Sequence, residues 1–371
     1  MAEEKKNPLA AGGQARRAAN YRGMTGAMPR PGVKRRNYYC WQLIFILPSR
    51  SGIGVRYYET AGSTTFVARP GGIEGWLPIA GLMNLKYSLA TGQLPSVHAA
   101  AMLLLVAFIV ISLLLKKAFC SWLCPVGTLS ELIGDLGNKL FGRQFVLPRW
   151  LDIPLRGVKY LLLSFFLYIA LLMPAQAIHY FMLSPYSVVM DVKMLDFFRH
   201  MGTATLISMI VLLIASLFIR HAWCRYLCPY GALMGVVSLL SPFKIRRNAE
   251  SCIDCGKCAK SCPSRIPVDK LIQVRTVECT GCMTCVESCP VASTLTFSLQ
   301  KPAANKKAFA LSWLVNDATG YGIMFAAIGY AIYAGVWQSP VPEELYQRLI
   351  PQVANDLVTK LANKRNITSH G

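Results

Sequence analysis

The sequence predicts an α-helical integral membrane protein of about five spans, with a cysteine-rich insert on its cytoplasmic side. Three observations predict it. Hydrophobic residues make up 54% of the 371 and charged residues only 15%, against a usual charged share of about 25%. Apolar runs approaching the roughly 20 residues that cross hydrocarbon recur along the chain. Twelve of the thirteen cysteines fall into CxxC or CxxxC spacings. A disulfide framework has no reason to repeat that way, so metal or redox chemistry is the better account.

Residues 1–36 form a basic tail. Lys5, Lys6, Arg16, Arg17, Arg22, Arg30, Lys34, Arg35 and Arg36 outweigh Glu3 and Glu4, and no apolar segment of a secretory signal occurs in the first 30 residues. The chain carries 39 Lys+Arg against 18 Asp+Glu, a net charge of +21. That excess adjoins apolar runs rather than aromatic-studded patches, which argues for the positive-inside bias of membrane proteins and against nucleic-acid binding. The tail is read as cytoplasmic.

Four apolar runs are plain, at 97–115, 160–178, 203–219 and 320–337, and a weaker one at 38–48 ends at Pro48. Seven basic residues separate the first two runs: Lys116, Lys117, Lys139, Arg143, Arg149, Arg156 and Lys159. Arg220, Arg225, Lys244, Arg246 and Arg247 follow the third. The loop 179–202 balances Lys193 and Arg199 with Asp191 and Asp196. The basic loops are thus expected inside and 179–202 outside. A cytoplasmic tail then requires one crossing before residue 97, which 38–48, extended to about Val55, supplies. The piece 76–90 is re-entrant or interfacial. Residues 342–365 read as an amphipathic helix broken at Pro351.

The segment Ala118-Phe119-Cys120-Ser121-Trp122-Leu123-Cys124-Pro125-Val126-Gly127 returns 104 residues later as Ala222-Trp223-Cys224-Arg225-Tyr226-Leu227-Cys228-Pro229-Tyr230-Gly231. The repeat unit, 97–127 and 201–231, is a span followed by CxxxCPxG at its cytoplasmic end. On a helix, cysteines four apart share a face, and the proline ends it. Cys120, Cys124, Cys224 and Cys228 are therefore a candidate second redox or metal site, suited to an Fe–S cluster, Cu(I), Zn, or cycling dithiols. The plainer alternative is that they pack helix ends.

Residues 252–263 and 279–290 both read CxxCxxCxxxCP, the pattern of bacterial two-cluster ferredoxins. Each CxxCxxC loop wraps one cube, and the fourth cysteine serves the other. Cys252, Cys255, Cys258 and Cys289 are expected to hold one [4Fe–4S] cluster, and Cys279, Cys282, Cys285 and Cys262 the second. Zinc knuckles use CxxC too, but they rarely need eight cysteines in this register. The domain map is then a tail, 1–36; a membrane domain, 37–248; a ferredoxin-like domain, 249–298; a last span, 320–337; and a C-terminal helix, 342–365.

Spans ending twice in CxxxCPxG, followed by a cytoplasmic two-cluster segment, resemble the NapH/MauN family of membrane ferredoxins. The likeness covers roughly residues 97–300 and its twelve cysteines. It implies a multi-pass protein of the cytoplasmic membrane that passes electrons between the quinone pool, or a cytoplasmic donor, and an outward-facing partner oxidoreductase or cytochrome subunit. No catalytic residue is singled out. The alternative is a protein that reduces or delivers a metal such as copper for assembly of a respiratory enzyme. His98 and His179, at the outer ends of two spans, are candidates for quinone or haem contact. The lone Cys40 reads as a small hydrophobe, and Trp122 and Trp223 as interfacial aromatics.

Overall fold

The computed structural model describes residues 71–349, apart from 143, 144, 146, 191, 192, 195, 196, 198–200, 292, 293, 300–305, 339, 340, 343, 346 and 347. The expectations for the basic tail, the run 38–48, Cys40, Asp191, Asp196, Arg199 and His200 lie outside these residues, as does most of 342–365. What is described is mostly helical, and it divides into two compact units. One contains Ile109–Val146 and Ser216–Gly322; the other contains residues 71–108, Leu147–Ala215 and the described residues from Ile323 onward.

The second unit begins with α1, Pro78–Thr91. Proline opens it, where a missing N–H costs nothing, and Gly92 closes it in the left-handed conformation at φ 71°. Helix α2, Ala99–Leu115, packs against it at backbone range. A Cβ on Gly81 would come within 2.7 Å of the Ala101 carbonyl oxygen, so glycine is required there. Helix α4, Arg149–Leu172, and α5, Ala175–Met182, complete the core, which gathers Leu77, Ala80, Met83, Ala101, Ala170, Ile178 and Met182. The Lys86 ammonium donates to the Ala170, Leu171 and Met173 carbonyls, satisfying the open end of α4.

The first unit holds α3, Pro125–Phe141, and α7, Pro229–Val237. Strands β1, Lys244–Arg247, and β2, Leu295–Ser298, pair antiparallel with Ile245 opposite Phe297. Short helices α8, Lys257–Ser261, and α9, Thr284–Glu287, each follow a cysteine loop. Helix α6, Thr203–Phe218, and α10, Lys306–Tyr333, run across the boundary between the units, as α2 does.

Two apolar runs match helices closely: 97–115 becomes α2 and 203–219 becomes α6. The run 160–178 does not stay whole. Its helix starts at Arg149 and stops at Leu172, because Met173 must adopt an extended conformation before Pro174. The run 320–337 lies in a longer helix that begins at Lys306 and ends at Tyr333, before Gly335 at φ 68°. Among the described residues one helix, Trp150–Leu172, is long and apolar enough to cross a membrane; Ala99–Leu115, Thr203–Phe218 and Pro229–Leu240 are shorter apolar helices. Leu161, Phe165 and Leu171 of α4 and Ile207, Val211 and Leu213 of α6 face outward.

Candidate metal centres

The two CxxCxxC loops fold alike for a local reason. Asp254 and Gly256 in the first take φ of 51° and 67°, and Gly281 and Met283 in the second take 64° and 63°. Alternating left-handed residues turn successive backbone N–H groups inward, the concavity that suits anions and Fe–S sites. Each loop then enters a short helix, α8 or α9, that carries the buried third cysteine, Cys258 or Cys285. The fourth cysteine follows that helix and precedes proline. The two helices are stitched together where Ser261 Oγ meets Ser288 Oγ at 2.5 Å.

The cysteines collect around two recesses. Cys252, Cys255, Cys258 and Cys289 line the first, of about 360 Å³ with open solvent included, together with Arg247, Asp254 and Asp269. Cys262, Cys279, Cys282 and Cys285 line the second, of about 350 Å³, whose other walls include Ile245, Ile266, Val274 and Met283. None of the twelve described cysteines is in a disulfide. Among the described residues no trio of His, Cys, Asp or Glu is placed to hold one bare ion. Four thiols lining one recess, three of them from a single CxxCxxC loop, fit a multi-iron group.

Burial pushes the Cys258 and Cys262 thiols up, and those of Cys279 and Cys289 up to about 11. Backbone N–H groups pull the other way: Gly281 on Cys279, Val291 on Cys289, and Ser264, Arg265 and Ile266 on Cys262. Arg247 donates to Cys252 and to Asp254 Oδ1 at 3.3 Å. The side chain of Asp269, on the wall of the first recess, has a buried oxygen without a partner. The three charged residues Arg247, Asp254 and Asp269 have no counterpart on the wall of the second recess, and cysteine spacing gives no sign of them.

The CxxxCP cysteines depart from the expected helical face. Phe119–Leu123 and Trp223–Leu227 are π-helical turns, closed by Cys124 N–H to Phe119 O at 2.9 Å and Cys228 N–H to Trp223 O at 3.1 Å. The reason is the proline that opens the next helix. It forces Cys124 and Cys228 into extended conformations, so the turn closes one residue wider than an α-helix. Both copies adopt this geometry. Burial raises Cys124 and Cys224, and Cys224 is raised further by Cys228, Cys124 and Cys120. The other three thiols therefore lie within electrostatic reach of Cys224, and all four are half-buried. Burial and the neighbouring thiols push the Tyr230 hydroxyl up as well.

Trp122, expected as an interfacial aromatic, also makes a specific contact. Its indole donates to Gly281 O at 3.1 Å, and Ser121 Oγ donates to Thr280 O at 2.8 Å. The first CxxxC turn thus grips the loop that carries Cys279 and Cys282. Lys116, expected in a basic cytoplasmic loop, is fully buried, with Nζ donating to Ser238 O at 3.2 Å. Burial lowers its pKa, and Cys279 opposes the shift.

His98 and His179 belong to the other unit. His98 is buried at φ 56°, with Nε2 2.9 Å from Ser187 O and Nδ1 3.3 Å from Glu74 Oε1. Glu74 Oε2 accepts the Ala101 N–H at 2.9 Å. His179 instead stacks on Tyr87, with ring centroids 5.4 Å apart. Glu74 went unnoticed in the sequence, where it stands 24 residues from its partner.

The 4Fe-4S binding domain family matches residues 97–144 and 201–248, once on each repeat, and the 4Fe-4S dicluster domain family matches 244–290. The candidate electron transport protein YccM of Escherichia coli is 94% identical over 298 residues, 80% of this chain and 84% of YccM. The ferredoxin-type protein NapH of Escherichia coli is 30% identical over 53% of this chain and 67% of its own length. The methylamine utilization ferredoxin-type protein MauN of Methylorubrum extorquens is 30% identical over 51% of this chain and 62% of its own. No solved structure matches.

Proposed function

The chain belongs to the family of NapH- and MauN-type ferredoxin proteins, and from that premise we propose that it is a multi-pass electron-transfer subunit of the cytoplasmic membrane. It holds two [4Fe–4S] clusters on the cytoplasmic side. The observation that carries this reading is the division of eight cysteines between two recesses, each taking three thiols from one loop and the fourth from the other motif. When bound, such clusters supply one-electron redox chemistry at potentials set by charge, hydrogen bonds and exposure. The chain supplies the rest. Cys252, Cys255, Cys258 and Cys289 bind one cluster, and Cys279, Cys282, Cys285 and Cys262 the other. The backbone N–H groups on Cys279, Cys289 and Cys262 favour the thiolates that iron requires. Met283, Ile266 and Val274 keep water from the second recess.

The outward apolar faces of α4 and α6 support a lipid setting, with crossings near 97–115, 160–178, 203–219 and 320–337. The grip of Trp122 and Ser121 on the Cys279 loop supports a second redox or metal site at Cys120, Cys124, Cys224 and Cys228, next to the second recess. Donor and acceptor are then the quinone pool or a cytoplasmic reductant on one side and a partner redox enzyme on the other. His98 and His179 remain the candidates for quinone contact.

A second reading has its own observation. Four half-buried thiols from two matched turns suit Cu(I), so the same site would serve copper reduction or delivery to a respiratory enzyme. EPR and metal analysis separate the two, comparing the anaerobic protein with its Cys120→Ser/Cys124→Ser variant before and after quinol addition. The electron-transfer reading expects cluster signals that appear with quinol in the parent and fade in the variant. Silent clusters with one copper per chain, lost in the variant, would move the assignment to copper handling.

A further inference from the structure

Helix α3 turns its apolar face the wrong way for a module surrounded by water. Leu129, Leu132, Leu136 and Leu140 recur at three- and four-residue spacing on one face and are between 48% and 69% exposed. The opposite face, made of Gly127, Ser130, Glu131, Gly134 and Gly137, is buried. A surface helix of a soluble domain does the reverse, hiding its leucines and showing its charged residues to solvent. The buried face is pressed to backbone range. A Cβ on Gly137 would lie 1.9 Å from the Leu217 carbonyl oxygen, and one on Gly127 would lie 2.2 Å from that of Cys120. Small residues spaced this way are how helices approach one another within lipid, where burying leucine brings no gain.

The depth of α3 can be read from its neighbours. Gly137 meets α6 at Leu217, one residue before that helix ends, and Asp135 pairs with Arg220 just beyond the end. Phe141 and Phe145 both pack on Phe218, with ring centroids 4.9 and 5.5 Å away. Aromatic and basic side chains collect in this way where a span meets the membrane surface. Lys139, exposed, lies beside the leucine face, the flank that interfacial helices turn to headgroups.

We propose that α3 is an in-plane interfacial helix, its leucine face seated in the lipid at the cytoplasmic surface. It follows directly on the Cys120–Cys124 turn and so holds that turn, and the cysteine loop gripped by Trp122, at a fixed height on the membrane. The inference rests on the membrane reading above and adds a lipid contact within a stretch that its charge alone marks as a cytoplasmic loop.

The test uses the full chain in vesicles of phosphatidylethanolamine and phosphatidylglycerol, with a photo-crosslinking amino acid placed singly at Leu132, Leu136, Phe165 or Ile272. Phe165 faces outward on α4, and Ile272 is an exposed apolar residue of the cysteine-rich segment. Illumination should give a mass shift of one phospholipid at 132, 136 and 165, and none at 272. Lipid adducts at 165 with only water-quenched or chain-to-chain products at 132 and 136 would overturn the proposal and leave the membrane reading standing. Loss of lipid adducts at 165 as well would overturn both.

Discussion

Replacing Gly127 by alanine, and separately Gly231 by alanine, adds the same methyl group to the same position of the two CxxxCPxG copies. In the first copy the new Cβ would lie 2.2 Å from the carbonyl oxygen of Cys120. That atom belongs to the backbone of the π-turn and cannot swing aside, so the turn itself must move. Overpacking of this kind costs about 1–3 kcal/mol. Removing a helical glycine returns about 1 kcal/mol, which leaves a net loss of up to about 2 kcal/mol. In the second copy the nearest atom is the Cys228 sulfur at 3.6 Å, an ordinary contact. There the propensity effect stands alone, and Gly231→Ala should be neutral or stabilising by up to about 1 kcal/mol. Denaturant unfolding in mixed micelles measures both variants against the parent. Gly127→Ala should also speed thiol alkylation at Cys120, because the turn has been displaced. Equal effects in the two copies, or a greater loss at Gly231, would refute the claim that only the first turn is locked at backbone range.

Other expectations follow from the sites. Cys289→Ser should cut iron from about eight to about four per chain, as should Cys262→Ser, and the remaining EPR signal should differ between the two. Trp122→Phe leaves the Gly281 carbonyl without its indole donor, at a cost of about 1–3 kcal/mol; chelators should then strip iron faster from the recess of Cys279 than from that of Cys252, as read by absorbance decay in the corresponding single-cluster variants. Glu74→Ala leaves the Ala101 N–H without the carboxylate oxygen it donates to, and takes from His98 its neighbour at Nδ1. It should lower stability by about 2–4 kcal/mol, measured by unfolding, while iron content stays unchanged because the residue belongs to the other unit.

What the sequence discloses about this molecule is mainly local. The triple-cysteine loops are so short that spacing predicts which thiols neighbour one another, and the apolar runs behind α2 and α6 are helices almost to the residue. The limits are equally physical. Pro174 divides the run 160–178 by constraining the residue before it, and Pro125 and Pro229 widen the CxxxC turns from α to π by the same constraint. Hydropathy weighs single residues and does not register that effect. The contacts that fix the sites span long stretches of chain: Trp122 to Gly281 across 159 residues and Lys86 to the end of α4 across more than 80. No periodicity encodes them. Lys116 illustrates the same gap, since a charge counted toward a basic loop is buried against Ser238 once the chain folds.

The most direct test of the central claim is the iron content and low-temperature EPR spectrum of the anaerobically purified protein, titrated with dithionite. The account predicts about eight irons per chain and signals of two magnetically interacting [4Fe–4S]⁺ clusters at full reduction. Iron well below that level in intact anaerobic protein, with zinc in its place or thiols that alkylate freely, would contradict it.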